Sequence, residues 1–304
     1  MVLLSSSASA QYFRSSNYWK THRNEVVFSF GISNFLGELG GRNQIGTDFI
    51  WDLEISQTKP ALGIAWHYYL AQKVAMKMNL SYGLLAGNDN LTEEPFRMNR
   101  NMQFQTDLVE FALTFEYHFF KEQMGHVYDL RGVKGQKSSR VGFYIFAGVS
   151  GFYFDPRAKF NGQWVDLKPL KTEGQGMVGG PDEYSNMQIA IPMGGGLRKA
   201  MNKYWTLGLE LQYTKTFTDY IDDVSGVYYD NEVIEATGGP IAAYFADPSL
   251  GLIDGQTATG AQRGDSEDLD AYLFLRFTAV YKMFKNRQRS KKYRTRIRRQ
   301  KIVF

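Results

Sequence analysis

The chain has 304 residues, with 43% hydrophobic and 15% aromatic side chains, and length alone allows one large or two ordinary domains. It contains no cysteine, which excludes a disulfide framework, a thiolate metal site and a cysteine nucleophile. Its net charge of +4 conceals an asymmetry: 11 basic residues and no acidic one fall between Lys282 and Lys301, and the remainder is net acidic.

At the start, MVLLSSSASAQ places Ala8, Ser9 and Ala10 as an A-x-A-like cleavage site behind a stub of an apolar region. Residues 1–10 are read as the end of an export signal and 11–24 as a short N-terminal segment, with a disordered Ser-rich start as the alternative. No later stretch approaches the about 18 consecutive apolar residues of a membrane helix, so any crossing must use strands.

Apolar and polar residues alternate with a period of two in eight places, predicting strands at 25–34, 61–70, 74–85, 105–119, 141–154, 187–199, 204–217 and 271–284. Each reaches the about 9–11 residues that cross a hydrocarbon core at a tilt, and eight strands can close a small barrel. In the first, Val26, Phe28, Phe30 and Ile32 share one face and Ser29, Gly31 and Ser33 the other; in the seventh, Leu207, Leu209 and Leu211 oppose Gly208, Glu210 and Gln212. Small residues with a few charges suit a cramped lumen better than a water-exposed sheet face. The expectation is therefore an all-β chain: an eight-stranded antiparallel transmembrane barrel of the outer membrane over 25–284, apolar side outward. Glu110, Glu116, Glu210, Lys77, Arg198 and Arg276 are expected inside it, paired with one another. Trp66, Tyr68, Tyr117, Tyr153, Trp205, Tyr213 and Tyr281 lie near strand ends, where an interfacial aromatic belt is expected. A secreted soluble sandwich or lipocalin-like barrel is the competing architecture.

Connections alternate in length. Residues 71–73 and 200–203 are short, while 35–60, 86–104, 155–186 and 218–270 are long. Short turns are periplasmic in outer-membrane barrels, so both chain ends are expected there and the long loops outside. Residues 120–140 break the pattern as a longer basic periplasmic turn.

On that topology the four histidines, His22, His67, His118 and His126, lie toward the periplasmic end and cannot serve an outward-facing Ser–His site. TDYIDDVSGVYYDNE clusters Asp219, Asp222, Asp223, Asp230 and Glu232, but its spacing is not an EF-hand loop, and a solvated turn is expected. The RGD at Arg263–Asp265 is too short a match to an integrin ligand to carry weight. No catalytic, cofactor-binding or metal-ligating residue is singled out.

The basic tail of residues 285–304 contains Lys285, Arg287, Arg289, Lys291, Lys292, Arg294, Arg296, Arg298, Arg299 and Lys301. In a cytosolic protein such a run reads as nucleic-acid binding. Delivered to the periplasm it is instead a solvated tail beside anionic lipid headgroups or a dock for an acidic periplasmic protein, and nucleic acid is not expected. Arg131, Lys134 and Lys137 in the long turn belong to the same expected partner-binding face.

Several blocks together, NFLGELGG (34–41), DLVEFALTFEYHFF (107–120), FAGVSGFYFDP (146–156), WVDLKPLKTEGQG (164–176), the run from Gly194 to Asn231 containing TFTDYIDDVSG, and RGDSEDLDAYLF (263–274), resemble the DUF6089 family. That family includes PorG, an outer-membrane component of the type IX secretion system. The resemblance implies a Bacteroidota outer membrane and association with the periplasmic ring of the PorK lipoprotein and PorN. It supplies no catalytic residue or cofactor. An adhesin or ligand platform on the long loops, and a barrel lipid hydrolase, are the alternatives of other classes.

Overall fold

The computed structural model describes residues 18–37, 39, 57–91, 94–122, 129–130, 133–134, 141–266 and 268–284. Among these residues eleven strands follow one another: β1 (Asn24–Leu36), β2 (Lys59–Tyr69), β3 (Val74–Asn88), β4 (Gln103–Phe120), β5 (Asp129–Leu130), β6 (Val133–Lys134), β7 (Gly142–Phe160), β8 (Gln163–Asp166), β9 (Met187–Ala200), β10 (Trp205–Thr216) and β11 (Ala271–Met283). Among the described residues two α-helices, α1 (Pro95–Arg100) and α2 (Asn231–Ala246), lie in the long connections. Among the described residues no helix is long and apolar enough to cross a membrane.

Eight of the strands form one antiparallel ring in chain order, β1-β2-β3-β4-β7-β9-β10-β11, closed by β11 against β1. Each wall strand pairs on both sides, so the ring has no free edge. The eight predicted strands are these eight. β5 and β6 make a two-residue ribbon inside the long basic turn, and β8 folds back on the far end of β7.

The period-two pattern decides which face is which. On β1, Phe28, Phe30 and Ile32 are exposed while Glu25, Val27 and Ser33 are buried; on β10, Leu207, Leu209 and Leu211 are exposed while Thr206, Glu210 and Gln212 are buried. The alternation continues around the ring through Leu62, Ile64, Leu80, Phe111, Phe115, Ile145, Ile189 and Phe277, all exposed. A contiguous apolar band of this extent is far beyond what a soluble surface carries, and it is the face a hydrocarbon layer covers. Trp66, Tyr117, Trp205 and Tyr281 stand on the outer face at the end where the tight turns 70–73 and 201–204 lie, and Tyr82 and Tyr153 stand toward the opposite rim. The tilted pair Trp205–Tyr281, with ring centroids 5.1 Å apart, belongs to this belt.

The interior differs from the expectation in one respect. Its turn-end half is polar, with small residues beside large ones. Gly196 illustrates the fit, since a Cβ there would lie 2.4 Å from the Tyr144 hydroxyl. Its loop-end half is apolar. Phe35, Leu85, Phe104, Leu108, Phe152, Phe154, Tyr272 and Phe274 fill the upper lumen and merge with Leu167, Tyr184, Ile221, Val224, Tyr228 and Phe245 from the loops. The described parts of the long loops thus fold down as a cap whose apolar layer seals the barrel mouth, a device that small residues and charges alone did not announce.

Candidate functional site

Two polar constellations are positioned by this frame, one in the turn-end lumen and one in the loop cap. In the lumen, Glu210 of β10 is the hub of the middle layer. It accepts from Lys77 Nζ at 2.6 Å, from the Tyr144 hydroxyl at 2.7 Å and from Arg276 Nη2 at 3.0 Å. Arg276 also donates to Ser81 Oγ at 2.6 Å and to Gln212 Oε1 at 2.5 Å. Gln212 in turn donates to Glu110 Oε2 at 2.9 Å, and the Tyr272 hydroxyl donates to Glu110 Oε1 at 3.0 Å.

One layer nearer the tight turns, Glu116 of β4 is surrounded. Lys77 Nζ lies 3.2 Å from its Oε1, and Arg198 Nη2, His67 Nε2 and His118 Nε2 lie 3.3, 3.0 and 3.3 Å from its Oε2. The other nitrogen of His67 faces Glu25 Oε2 at 3.1 Å, which Arg198 Nη1 approaches at 3.6 Å. Arg198 also stacks over Tyr144, 4.5 Å from ring centroid to guanidinium. At the turn-end mouth, Lys282 donates to Glu122 at 2.9 Å.

All six charged residues expected in the lumen are therefore there and buried; five engage one another directly, and Glu110 is reached through Gln212 and Tyr272. Pairing offsets their desolvation, and it makes every member costly to remove. The lumen is filled and cross-linked by side chains from opposite walls, which suits a rigid strut better than a conduit. His67 and His118, placed near the turn end by sequence, are drawn fully inside, and the grouping of His67 with Glu25, Glu116 and His118 is a set that sequence reading missed. The signal was present as E-x-H at Glu116–His118, alternate residues of one strand and so on one face.

The loop cap has its own charged core, and here one expectation is corrected. Asp219, Asp222 and Asp223 are buried rather than solvated, while Asp230 and Glu232 are exposed, Asp230 capping α2 by accepting from the Glu232 N–H at 3.0 Å. Asp223 accepts from Thr172 Oγ1 at 2.7 Å and from the Tyr184 hydroxyl at 2.6 Å. Arg263, the first residue of the RGD, is buried at 4% exposure. It donates to Glu173 Oε1 and to the Asp223 carbonyl, both at 2.8 Å, so it is a cap residue turned away from any external receptor. Arg100 completes the set with a two-pronged contact to Asp89 at 2.8 and 3.1 Å. Burial pushes the Asp223 carboxyl up to about 6, with Arg263, Tyr184 and Thr172 pulling the other way.

The expected partner-binding residues Arg131, Lys137, Lys285, Arg287, Arg289, Lys291, Lys292, Arg294, Arg296, Arg298, Arg299 and Lys301 lie outside the described residues. Lys134 falls in β6, where only the backbone is described.

The model of the domain of unknown function DUF6089 matches residues 12–236, more than half of the chain. The chain belongs to the DUF6089 family. The matched span covers β1 to β10 and the start of the cap, including the aspartates and Glu173 just described. No curated protein matches this DUF6089 chain. Among solved structures it is similar to Neisserial surface protein A at 8% identity and a TM-score of 0.39, covering 86% of this chain and 97% of that one. It is similar also to the outer membrane protein OprG of Pseudomonas aeruginosa, at 10% identity and a TM-score of 0.38, covering 86% and 98%. A third is the attachment invasion locus protein Ail of Yersinia pestis in complex with the heparin analogue sucrose octasulfate, at 8% identity, a TM-score of 0.35 and coverage of 86% and 99%. The barrel of this DUF6089 chain is established by its own strand pairing, independently of these likenesses.

Proposed function

We propose that this protein is a non-enzymatic outer-membrane anchor of the PorG type, a structural component of type IX protein secretion. The single observation that supports it most is the filled interior: a charged network below and an apolar cap above leave a strut whose useful surfaces are its two ends. Membership of the DUF6089 family supports the PorG-type role. In this reading both chain ends and the turn containing Arg131, Lys134 and Lys137 face the periplasm. That turn and the tail from Lys285 to Lys301 contact the ring built of PorK-like lipoprotein and PorN-like protein, and the apolar band holds the barrel in outer-membrane lipid. Positive charge concentrated at one end favours an acidic partner surface and steers its approach.

The test is a crosslinking capture of the tagged protein from its native envelope. Recovery of the ring lipoprotein and its companion, lost on deleting residues 285–304, supports the anchor. An intact, abundant barrel that captures no periplasmic protein overturns it. The ordered cap favours a second reading, a loop-borne ligand platform, because Phe96, Leu250 and Leu252 stand exposed on loops tied together through Asn99. Replacing residues 220–262 by a short turn separates the two, since an anchor keeps its periplasmic partners and a platform loses its ligand.

A further inference from the structure

We propose that the turn-end lumen is a binding site for one divalent transition-metal ion of the zinc type, held by His67, Glu116 and His118. The three residues are buried, and their ligand atoms lie within 4.8 Å of one another. Glu116 Oε2 is 3.0 Å from His67 Nε2 and 3.3 Å from His118 Nε2. A tetrahedral zinc ion with bonds of about 2.0–2.1 Å spaces its ligand atoms about 3.3 Å apart, so the carboxylate sits at the required separation from both rings.

One further observation points to a cation there. His118 Nε2 is buried and faces Glu116 Oε2 at 3.3 Å without hydrogen-bond geometry, while His67 Nε2 already bonds that oxygen at 3.0 Å. A positive centre between the two rings and the carboxylate would give the unpartnered nitrogen a bond. The other nitrogen of His67 lies 3.1 Å from Glu25 Oε2, and a carboxylate beside the second nitrogen is the usual arrangement of a metal-ligating histidine.

The cations already present fit around an ion. Lys77 holds Oε1 of Glu116, leaving Oε2 for the metal, and Arg198 can shift its guanidinium toward Glu25, which it already approaches at 3.6 Å. With three protein ligands, a water or hydroxide would complete the tetrahedral shell. With protein ligands on β2 and β4, which are separated by β3, the ion staples non-adjacent walls. The competing occupant is a proton on His67, donated to both Glu25 and Glu116.

The experiment uses the full-length chain without an affinity tag, folded into detergent micelles with and without zinc and freed of loose metal by gel filtration. Metal content is measured by mass spectrometry and stability by the thermal midpoint, with folding of every variant read from the mobility of unheated samples in electrophoresis. One zinc ion per folded barrel, a higher midpoint and the visible bands of tetrahedral cobalt(II) on substitution are expected, all lost in His118→Gln. His67→Gln is expected to behave likewise; if it does not fold, His118→Gln decides. Equal zinc in His118→Gln and the parent would place the metal elsewhere and overturn the proposal. A metal-free parent whose nitrogen spectra show a proton on both ring nitrogens of His67 overturns it too, with the proton as occupant.

Discussion

Replacing Asp223 by asparagine isolates one buried carboxyl of the loop cap and gives its stability a pH dependence that can be read directly. Asp223 has φ 66°, a left-handed conformation that asparagine adopts readily, and the amide oxygen still accepts from Tyr184 while the Thr172 hydroxyl turns to accept. Burial raises the folded carboxyl from 3.8 to about 6. Between those values the folded protein holds a proton that the unfolded chain has released. The stability this group contributes is therefore fully present below about 3.8 and is lost as pH rises through about 6. A rise of that size corresponds to about 3 kcal/mol between the protonated and ionised forms. The readout is hydrogen exchange at the amides of Ser225 and Gly226, which donate to Glu173 inside the same cap. Comparing wild type with Asp223→Asn at each pH cancels the intrinsic exchange rate. The wild-type advantage is expected to shrink by about 3 kcal/mol from about pH 4 to about pH 7.5. Two parallel profiles over that range would show that Asp223 is not buried as described.

Three other perturbations test the barrel itself. Glu210→Gln leaves Lys77 and Arg276 facing each other without their shared counter-charge, and should cost about 3–5 kcal/mol in denaturant unfolding of the folded barrel. Phe30→Arg, on the outer band, should lower stability in bilayers by about 2–4 kcal/mol, whereas a soluble barrel would tolerate or welcome the charge. Gly196→Val drives a side chain into the Tyr144 ring and should cost about 1–3 kcal/mol by overpacking, while Gly151→Ala, whose added carbon would have its nearest neighbour at 3.9 Å, should leave the thermal midpoint unchanged.

The walls of the barrel were legible because alternation is a local property: each strand carries its own record of which side is wet. The predicted 105–119 and 141–154 became Gln103–Phe120 and Gly142–Phe160, the growth of the latter running through Asp155–Phe160 where the strand leaves the band and pairs with β8. The cap was not legible, for two physical reasons. In α2, Gly238-Gly239-Pro240 reads as a chain break, and the backbone does kink there, with Gly239 at φ 81° and helical turns on either side. Asp223 reads as solvated because nothing nearby in sequence meets its carboxylate; its partners Thr172 and Tyr184 are 51 and 39 residues away, and Arg263 reaches its carbonyl from 40. The charged lumen was halfway between, since period two put the right residues inside but could not say which carboxylate met which cation.

The seam between β1 and β11 runs in unbroken register from Asn24 opposite Met283 to Leu36 opposite Ala271. The first wall strand therefore waits for the last one, with nearly the whole ring synthesised in between, and this is the slowest kind of contact to form. Until it does, both outer strands present unpaired backbone and apolar side chains to whatever surrounds them. Assembly of this barrel is thus a single late commitment: a chain cut short before residue 271 keeps every hairpin it has made and still has two sticky flanks, so quality control needs to inspect only one junction to know whether the whole ring is complete.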